Sequence, residues 1–385
     1  MPAVRPLLLL WLCYGAMMSL AIAINLLPVF LTTLDSEFGG AAGLTQEQLG
    51  RLGGIAFAGL VVGIIVTGPL ADRWGAKPIV LIGDLMIAAG LAGTALAPSY
   101  VTLAWGVFAL GLGAGALDMV LSPVVAALAP DRRTAAMNWL HSFYGVGAVV
   151  TIAVATAAPW LGLSWRGACW ALMPLPIGLL IAFAAMRFPA LVGDGGRTPL
   201  AGLMRQRWFL GALIAILLGG ATELGMAQWL PAYAETTLAY PRWVGGTALA
   251  AFSLATVIGR VIVAAAGPRL DPYRTMAWSC AASIALFMVA AYAPVPGIAL
   301  AGCVAAGLAG SCLWPTMLAV TADRHPDGGA SMFGVLAAFG NAGGIVMPWL
   351  VGWVADLSDL RHGLALSAVA PALMLPLVLA LRRRR

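Results

Sequence analysis

The chain has 385 residues, 62% of them hydrophobic and 9% charged, with a net charge of +6. A water-soluble globule is excluded, because soluble domains average about 45–50% apolar and about 25% charged. Nucleic acid is not expected as a partner: the positive balance is arginine scattered through turns, with no basic cluster interleaved with stacking aromatics.

At about 20 residues per crossing, the length admits a dozen membrane spans joined by short turns. Apolar runs predict helices at 6–32, 48–70, 78–97, 101–128, 136–158, 165–187, 208–234, 244–266, 275–294, 297–321, 330–355 and 362–381. The first run exceeds a signal-peptide core of roughly 7–15 residues, so it is read as span 1. Nothing acidic lies between Arg5 and Asp35, and Asn25 is the most polar residue of that span. Span 2 runs into the turn Gly68-Pro69-Leu70-Ala71-Asp72-Arg73-Trp74-Gly75-Ala76-Lys77. A carboxylate at such an inner turn can accept backbone N–H groups of a helix N-terminus.

Three acids fall deep inside predicted spans: Asp84 in span 3, Asp118 in span 4 and Glu223 in span 7. Ionisable groups at lipid depth are costly and point to a function by default. Asp84 is read as a structural acid that pairs with a neighbouring arginine. Asp118 follows Gly111-Leu112-Gly113-Ala114-Gly115, a strip of small residues that lets another helix approach closely. Ser122 lies one turn further, and Pro123 loosens the backbone there. Reflection about the turn at 129–134 places Asp118 level with Tyr144, and Ser122 beside His141. Asn138, His141 and Ser142 share one face of span 5. The hairpin thus offers an acid, an amide, an imidazole, a phenol and hydroxyls to one cavity.

The polar interval from Arg187 to Trp208 splits the twelve spans into six and six. The expected organisation is an N-terminal bundle at 1–187, a cytoplasmic linker at 188–207 and a C-terminal bundle at 208–385. In span 7, Glu223 is followed by Gln228-Trp229-Leu230-Pro231-Ala232-Tyr233; aromatic rings with polar edges suit a sugar. In span 8, Arg260 lies about two turns from the inner end, within reach of the cytoplasmic surface by snorkelling. Trp314-Pro315 interrupts span 10, and Asn341 sits among Gly340, Gly343 and Gly344 of span 11.

Three landmarks recur half a chain apart: Gly68-Pro69…Asp72 with Gly267-Pro268…Asp271, Pro123…Asp131-Arg132 with Pro315…Asp323-Arg324, and Ala135-Ala136-Met137…Gly145 with Ala330-Ser331-Met332…Gly340. Their offsets of 199, 192 and 195 residues imply an internal duplication, a common plan for secondary transporters. With the N-terminus inside, sixteen arginines and lysines fall on the cytoplasmic side and four, Arg51, Arg166, Arg242 and Arg361, on the other. Both termini are therefore expected to be cytoplasmic.

The five cysteines lie inside apolar runs with no CxxC pair, and the three histidines form no HExxH. Neither disulfide nor metal is implied. Lys77, the sole lysine, is not in a phosphate-cradling loop. No nucleophile–base pair is present, so no cofactor and no enzymatic activity are expected.

The turn with Gly68, Asp72, Arg73, Gly75 and Lys77 resembles the signature between spans 2 and 3 of the major facilitator superfamily, with Ala76 where a basic residue is common. The second copy is degenerate: Pro272 and Arg274 replace its arginine and glycine. The resemblance covers essentially the whole chain and implies an all-α integral membrane protein of twelve helices in two pseudo-symmetric six-helix bundles. It implies that these five residues form a cytoplasmic gate. Asp118, Ser122-Pro123, Asn138, His141, Phe143, Gly147 and Ala148 are similar to the sugar permeases of the fucose:proton symporter type, as is the span 7 pattern around Glu223, Trp229 and Tyr233. By that likeness Asp118 is the proton-linked acid and Asn138 and His141 lie near the sugar. From its depth in span 7, Glu223 is read as a second proton-coupling acid, and from their positions Tyr144, Gln228, Trp229 and Asn341 are read as further residues of the substrate path. The group usually carries an acid in span 1, which is lacking here; either Asp118 or Glu223 alone handles the proton, or transport is uncoupled.

The expected protein is a monomeric secondary transporter in the inner (plasma) membrane. It moves a small polar solute, foremost a sugar, with protons by alternating access. An exporter of drugs or organic anions and a transporter-like membrane sensor are the alternatives.

Overall fold

A computed structural model describes residues 6–129, 133–189, 200–266, 270–325 and 328–383, with the side chains of Asp72, 133–135, 137–138 and 329–331 excepted. Half of the expected linker at 188–207, residues 190–199, lies outside the described residues. The described residues hold twelve helical segments long and apolar enough to cross a bilayer. They are α1 (Pro6–Phe38), α2 (Gln46–Ala71), α3 (Ala76–Ala95), α4 (Tyr100–Leu128), α5 (Trp139–Leu161) and α6 (Trp165–Ala185), then α7 (Arg207–Thr237), α8 (Arg242–Ala266), α9 (Pro272–Tyr292), α10 (Pro296–Arg324), α11 (Met332–Leu357) and α12 (Leu360–Arg382). No strand occurs among the described residues. Large apolar side chains such as Ile65, Ile181, Val261, Ile262 and Leu373 are exposed along these helices. So much exposed hydrocarbon demands lipid as solvent. The protein is a multi-pass membrane protein.

The chain divides into two compact units, residues 1–30 with 55–194, and residues 31–54 with 195–385. In the first unit α4 is the hub, and its glycines explain why. A Cβ at Gly111 or Gly115 would lie 1.9 and 2.0 Å from the Ala56 and Leu60 carbonyl oxygens of α2. One at Gly113 would lie 2.6 Å from the Gly83 carbonyl of α3. The small-residue strip therefore seats two helices at backbone distance, on two faces. Helix α1 packs against α5, where Gly147 sits on the Met18 backbone.

The ends of α3 and α6 complete each other. Helix α2 continues to Trp74, and Gly75, at φ 76°, makes the left-handed break before α3. Lys77, on the first turn of α3, donates to the Ala184 and Met186 carbonyls at the end of α6 (2.6 and 2.8 Å). Arg166, on the first turn of α6, donates to the Ala95 and Ala97 carbonyls at the end of α3 (2.8 and 3.0 Å). Each helix thus carries a cation that satisfies the orphan carbonyls of its antiparallel neighbour.

The second unit repeats these pairings. Helix α7 packs on α11, where a Cβ at Gly220 would lie 2.0 Å from the Gly340 carbonyl oxygen. Helix α10 takes α8 and α9: Gly307 meets Phe252, and Gly302 meets Ala290. Arg361, at the start of α12, reaches the Ala291 carbonyl at the end of α9 (3.4 Å), as Arg166 does 195 residues earlier. At the other end Arg382 of α12 pairs with Asp271, which caps α9 through the Arg274 N–H (3.4 and 2.8 Å). A core of Phe209, Ile216, Met276, Met317, Met332, Leu336 and Met374 fills the space between these helices. Residues 31–54 belong here too: the Asp356 carboxylate at the end of α11 accepts the Gln46 and Glu47 N–H groups that open α2 (2.7 and 2.8 Å).

Candidate functional site

Glu223 and Arg260 are the only ion pair found deep within the spans among the described residues. Gly220 and Ala221 bring α7 against α11 and fix the turn that carries Glu223. Arg260 comes from the adjacent α8. Its Nη2 donates to both Glu223 carboxylate oxygens, at 3.0 and 2.7 Å. Its Nε donates to the Ser311 carbonyl of α10 at 3.2 Å. The reason that carbonyl is available lies in the sequence. In a regular helix Ser311 would bond to the N–H of residue 315, which is Pro315 and has none. Here α10 is interrupted between Gly310 and Leu313, and Arg260 takes the orphan acceptor. Nη1 has no partner among the described residues. The two side chains are 36% and 20% exposed, so the pair is neither sealed nor fully solvated. This corrects the sequence reading of Arg260: it does not snorkel to the surface but reaches sideways to Glu223.

The other expected residues of the second unit are placed differently. Trp229 is fully buried, and its indole N–H donates to the Pro348 carbonyl of α11 (2.9 Å). Tyr233 is fully buried and donates to the Ala290 carbonyl (2.7 Å). Asn341 is buried and its amide N–H bonds back to the Ala337 carbonyl of its own helix (3.0 Å). Gln228 is buried against Gly53, and its Nε2 has no partner among the described residues.

In the first unit Asp118 is half-buried and makes no ion pair or hydrogen bond among the described residues. Helix α5 touches α4 as the hairpin reading expects, but it packs more extensively on α1, while the glycine faces of α4 seat α2 and α3. The Tyr144 hydroxyl accepts from Asn25 of α1 (3.4 Å), and Phe143 stacks on Tyr14 with centroids 5.2 Å apart. His141 and Ser142 are exposed. The Asn138 side chain lies outside the described residues. Asp84 is fully buried and meets no arginine, contrary to the expectation of an ion pair.

At the inner turn, Gly68 faces Met119 of α4 and Arg73 is exposed, whereas the Asp72 side chain lies outside the described residues. Lys77 caps α6 and Gly75 supplies the left-handed break. No group of three or more metal-ligating side chains occurs among the described residues.

The sequence profile of the Major Facilitator Superfamily matches residues 10–304 and 245–385. The chain belongs to the major facilitator superfamily. It is 27% identical over 378 residues to the gentisate transporter of Corynebacterium glutamicum, covering 91% of this chain and 83% of that one. It is 29% identical over 322 residues to the "Probable nitrate/nitrite transporter NarK2" of Mycobacterium tuberculosis, covering 77% of each. Among solved structures, the Escherichia coli fucose:proton symporter FucP superposes with a TM-score of 0.67 at 18% identity, over 98% of this chain and 99% of that one. That likeness shows the fold. As a major facilitator protein the chain is a transporter of small solutes and not an enzyme. In that setting an arginine at lipid depth, balanced by one titratable carboxylate, is able to trade one anion for another.

Proposed function

We propose that this transporter moves a small planar anion of the carboxylate class together with a proton, and that Glu223 and Arg260 are the exchange centre. The observation that carries this reading is the partly exposed Arg260, whose sole counter-ion among the described residues is Glu223. When Glu223 binds a proton, Arg260 keeps a positive charge that needs an anion. A substrate carboxylate then takes the place of the protein carboxylate. Guanidinium matches planar oxyanions through paired N–H groups, and Nη1 is available for the second bond. Gentisate and nitrate, the solutes named for two relatives, are both planar oxyanions.

The remaining residues take supporting roles. Gln228, with an unengaged amide, contributes a hydrogen bond to the solute. Trp229 and Asn341, whose polar atoms bond backbone, position α7 and α11 around it. Gly68, Asp72, Arg73, Gly75 and Lys77 form the cytoplasmic gate. Alternating access by halves at 1–187 and 208–385, joined by a linker at 188–207, operates in the plasma membrane with both termini inside and the protein as a monomer.

A second reading, proton-coupled sugar transport, is favoured by Asp118, which is half-buried with no partner among the described residues. There Asp118 carries the proton while Asn138, His141 and Tyr144 bond sugar hydroxyls. Uptake of labelled gentisate, nitrate and fucose into proteoliposomes under an inward proton gradient separates the two. Accumulation of an anion, abolished by a protonophore, supports the first; accumulation of fucose alone refutes it in favour of the second.

A further inference from the structure

Asp84 takes no part in this exchange, yet it is an acid wholly enclosed within the first unit. It is 0% exposed on α3, and neither carboxyl oxygen has a hydrogen-bond partner among the described residues. Beside it on α1 lie the Ser19 hydroxyl and the Cys13 thiol, both also 0% exposed. The Ser19 oxygen likewise has no partner among the described residues. Two orphan polar groups on facing helices are uncommon, since buried polar atoms are nearly always bonded.

The surroundings offer no counter-ion. Lys77 is bound to α6 carbonyls seven residues away, about 10 Å along the helix, and Arg166 holds the Ala95 end, about 16 Å away. Helix α4 presents Gly113 and Leu117 to this stretch, and Asp118 shows no interaction with Asp84. Helix α6 has no titratable side chain over Pro174–Ala185. An uncompensated carboxylate is not sustained in such a place, whereas a neutral carboxyl is, and it has one O–H to give and Ser19 to receive it. A metal ion is a poor occupant: two carboxyl oxygens and a hydroxyl fall short of the roughly six to eight oxygens that hard cations collect.

We propose that Asp84 and Ser19 form a second proton site, which holds its proton while α1 is packed on α3 and exchanges it when α1 moves away. The other side of α1 makes such movement consequential. Met18, next to Ser19, seats Gly147 of α5, and Asn25 on the same helix bonds Tyr144. Shifting α1 off Asp84 therefore also shifts the helix that contacts the α5 face with His141. Only the place of this site in the transport cycle rests on the carrier reading; its proton occupancy does not.

The test is infrared spectroscopy of the purified full chain in lipid, with the pH varied. A protonated-carboxyl carbonyl band is expected to persist through neutral pH, to vanish in Asp84→Asn and to move to higher frequency in Ser19→Ala. Asp84→Asn is expected to bind the anion with unchanged affinity, while the change in turnover between pH 6 and pH 8 shrinks at least threefold. A spectrum without that band, a band indifferent to both substitutions, a band removed by sodium, or an unaltered pH profile of turnover each overturns the proposal. Should Asp84→Asn not fold, the frequency shift in Ser19→Ala decides. A protein that shows the band and carries no anion defeats the carrier reading and leaves the proton site standing.

Discussion

Replacing Glu223 with glutamine removes the carboxylate that balances Arg260 while keeping size and shape. The consequence follows from the pair's partial exposure. Breaking a fully buried pair from one side costs about 3–5 kcal/mol, and a surface pair contributes about 0–1 kcal/mol. With side chains 20% and 36% exposed, and Arg260 still bonded to the Ser311 carbonyl, an intermediate value of about 1–2 kcal/mol is reasonable. An incoming anion must displace that pairing in the wild type. Glu223→Gln is therefore expected to tighten anion binding about 5- to 30-fold. If one proton is taken up with each anion, wild-type affinity should weaken as pH rises, by up to about tenfold per pH unit. In Glu223→Gln the affinity should be flat with pH. Equilibrium binding of labelled gentisate to the purified protein between pH 5 and 8 reads both effects. Weaker binding in Glu223→Gln, or a wild-type slope that survives the substitution, would refute the reasoning.

Other consequences concern stability and are read by thermal unfolding in detergent. Gly111→Leu, which drives carbons into the Ala56 carbonyl, should destabilise by at least about 1–3 kcal/mol; Gly178→Ala, with nothing within 4 Å, should be neutral or stabilise by about 0.5–1 kcal/mol. Arg166→Ala leaves the Ala95 and Ala97 carbonyls without their donor and should lower stability by about 1–3 kcal/mol, with a smaller loss for Arg361→Ala, whose bond is longer. Asp359 caps α12 through the His362 N–H (2.9 Å), and that bond, with the His362 side chain, holds its carboxyl below the usual carboxylate range. Because the folded value is depressed, the cap contributes fully above the ordinary carboxylate value and fades as pH falls through the depressed one. Asp359→Ala should cost about 1 kcal/mol at pH 7 and progressively less in acid.

The spans were legible because lipid imposes a simple rule: about 20 apolar residues per crossing, with charges in turns. The duplication was legible from its proline and acid punctuation, and the structure extends it to Arg166 and Arg361. Those arginines were read only as topology signals, and Lys77 as part of the gate turn, since sequence does not show which helix end a basic side chain will face. The Glu223–Arg260 pair was within reach. Reflection about the turn at 238–241 puts Glu223 level with Thr256, one helical turn from Arg260. The same operation says less for Asp118 and Tyr144: α5 touches α4 but packs more extensively on α1, where the Tyr144 hydroxyl meets Asn25. Trp229 and Tyr233 looked like sugar platforms from composition, yet their polar edges bond carbonyls contributed by α11 and α9, a tertiary fact that no local pattern encodes.

The central claim is that an anion replaces a protein carboxylate at Arg260 as that carboxylate takes up a proton. Counting protons during binding tests it most directly, by titrating lightly buffered purified protein with gentisate at neutral pH. The account expects close to one proton taken up per anion bound by the wild type and none by Glu223→Gln. Saturable binding with no proton uptake in the wild type would contradict it.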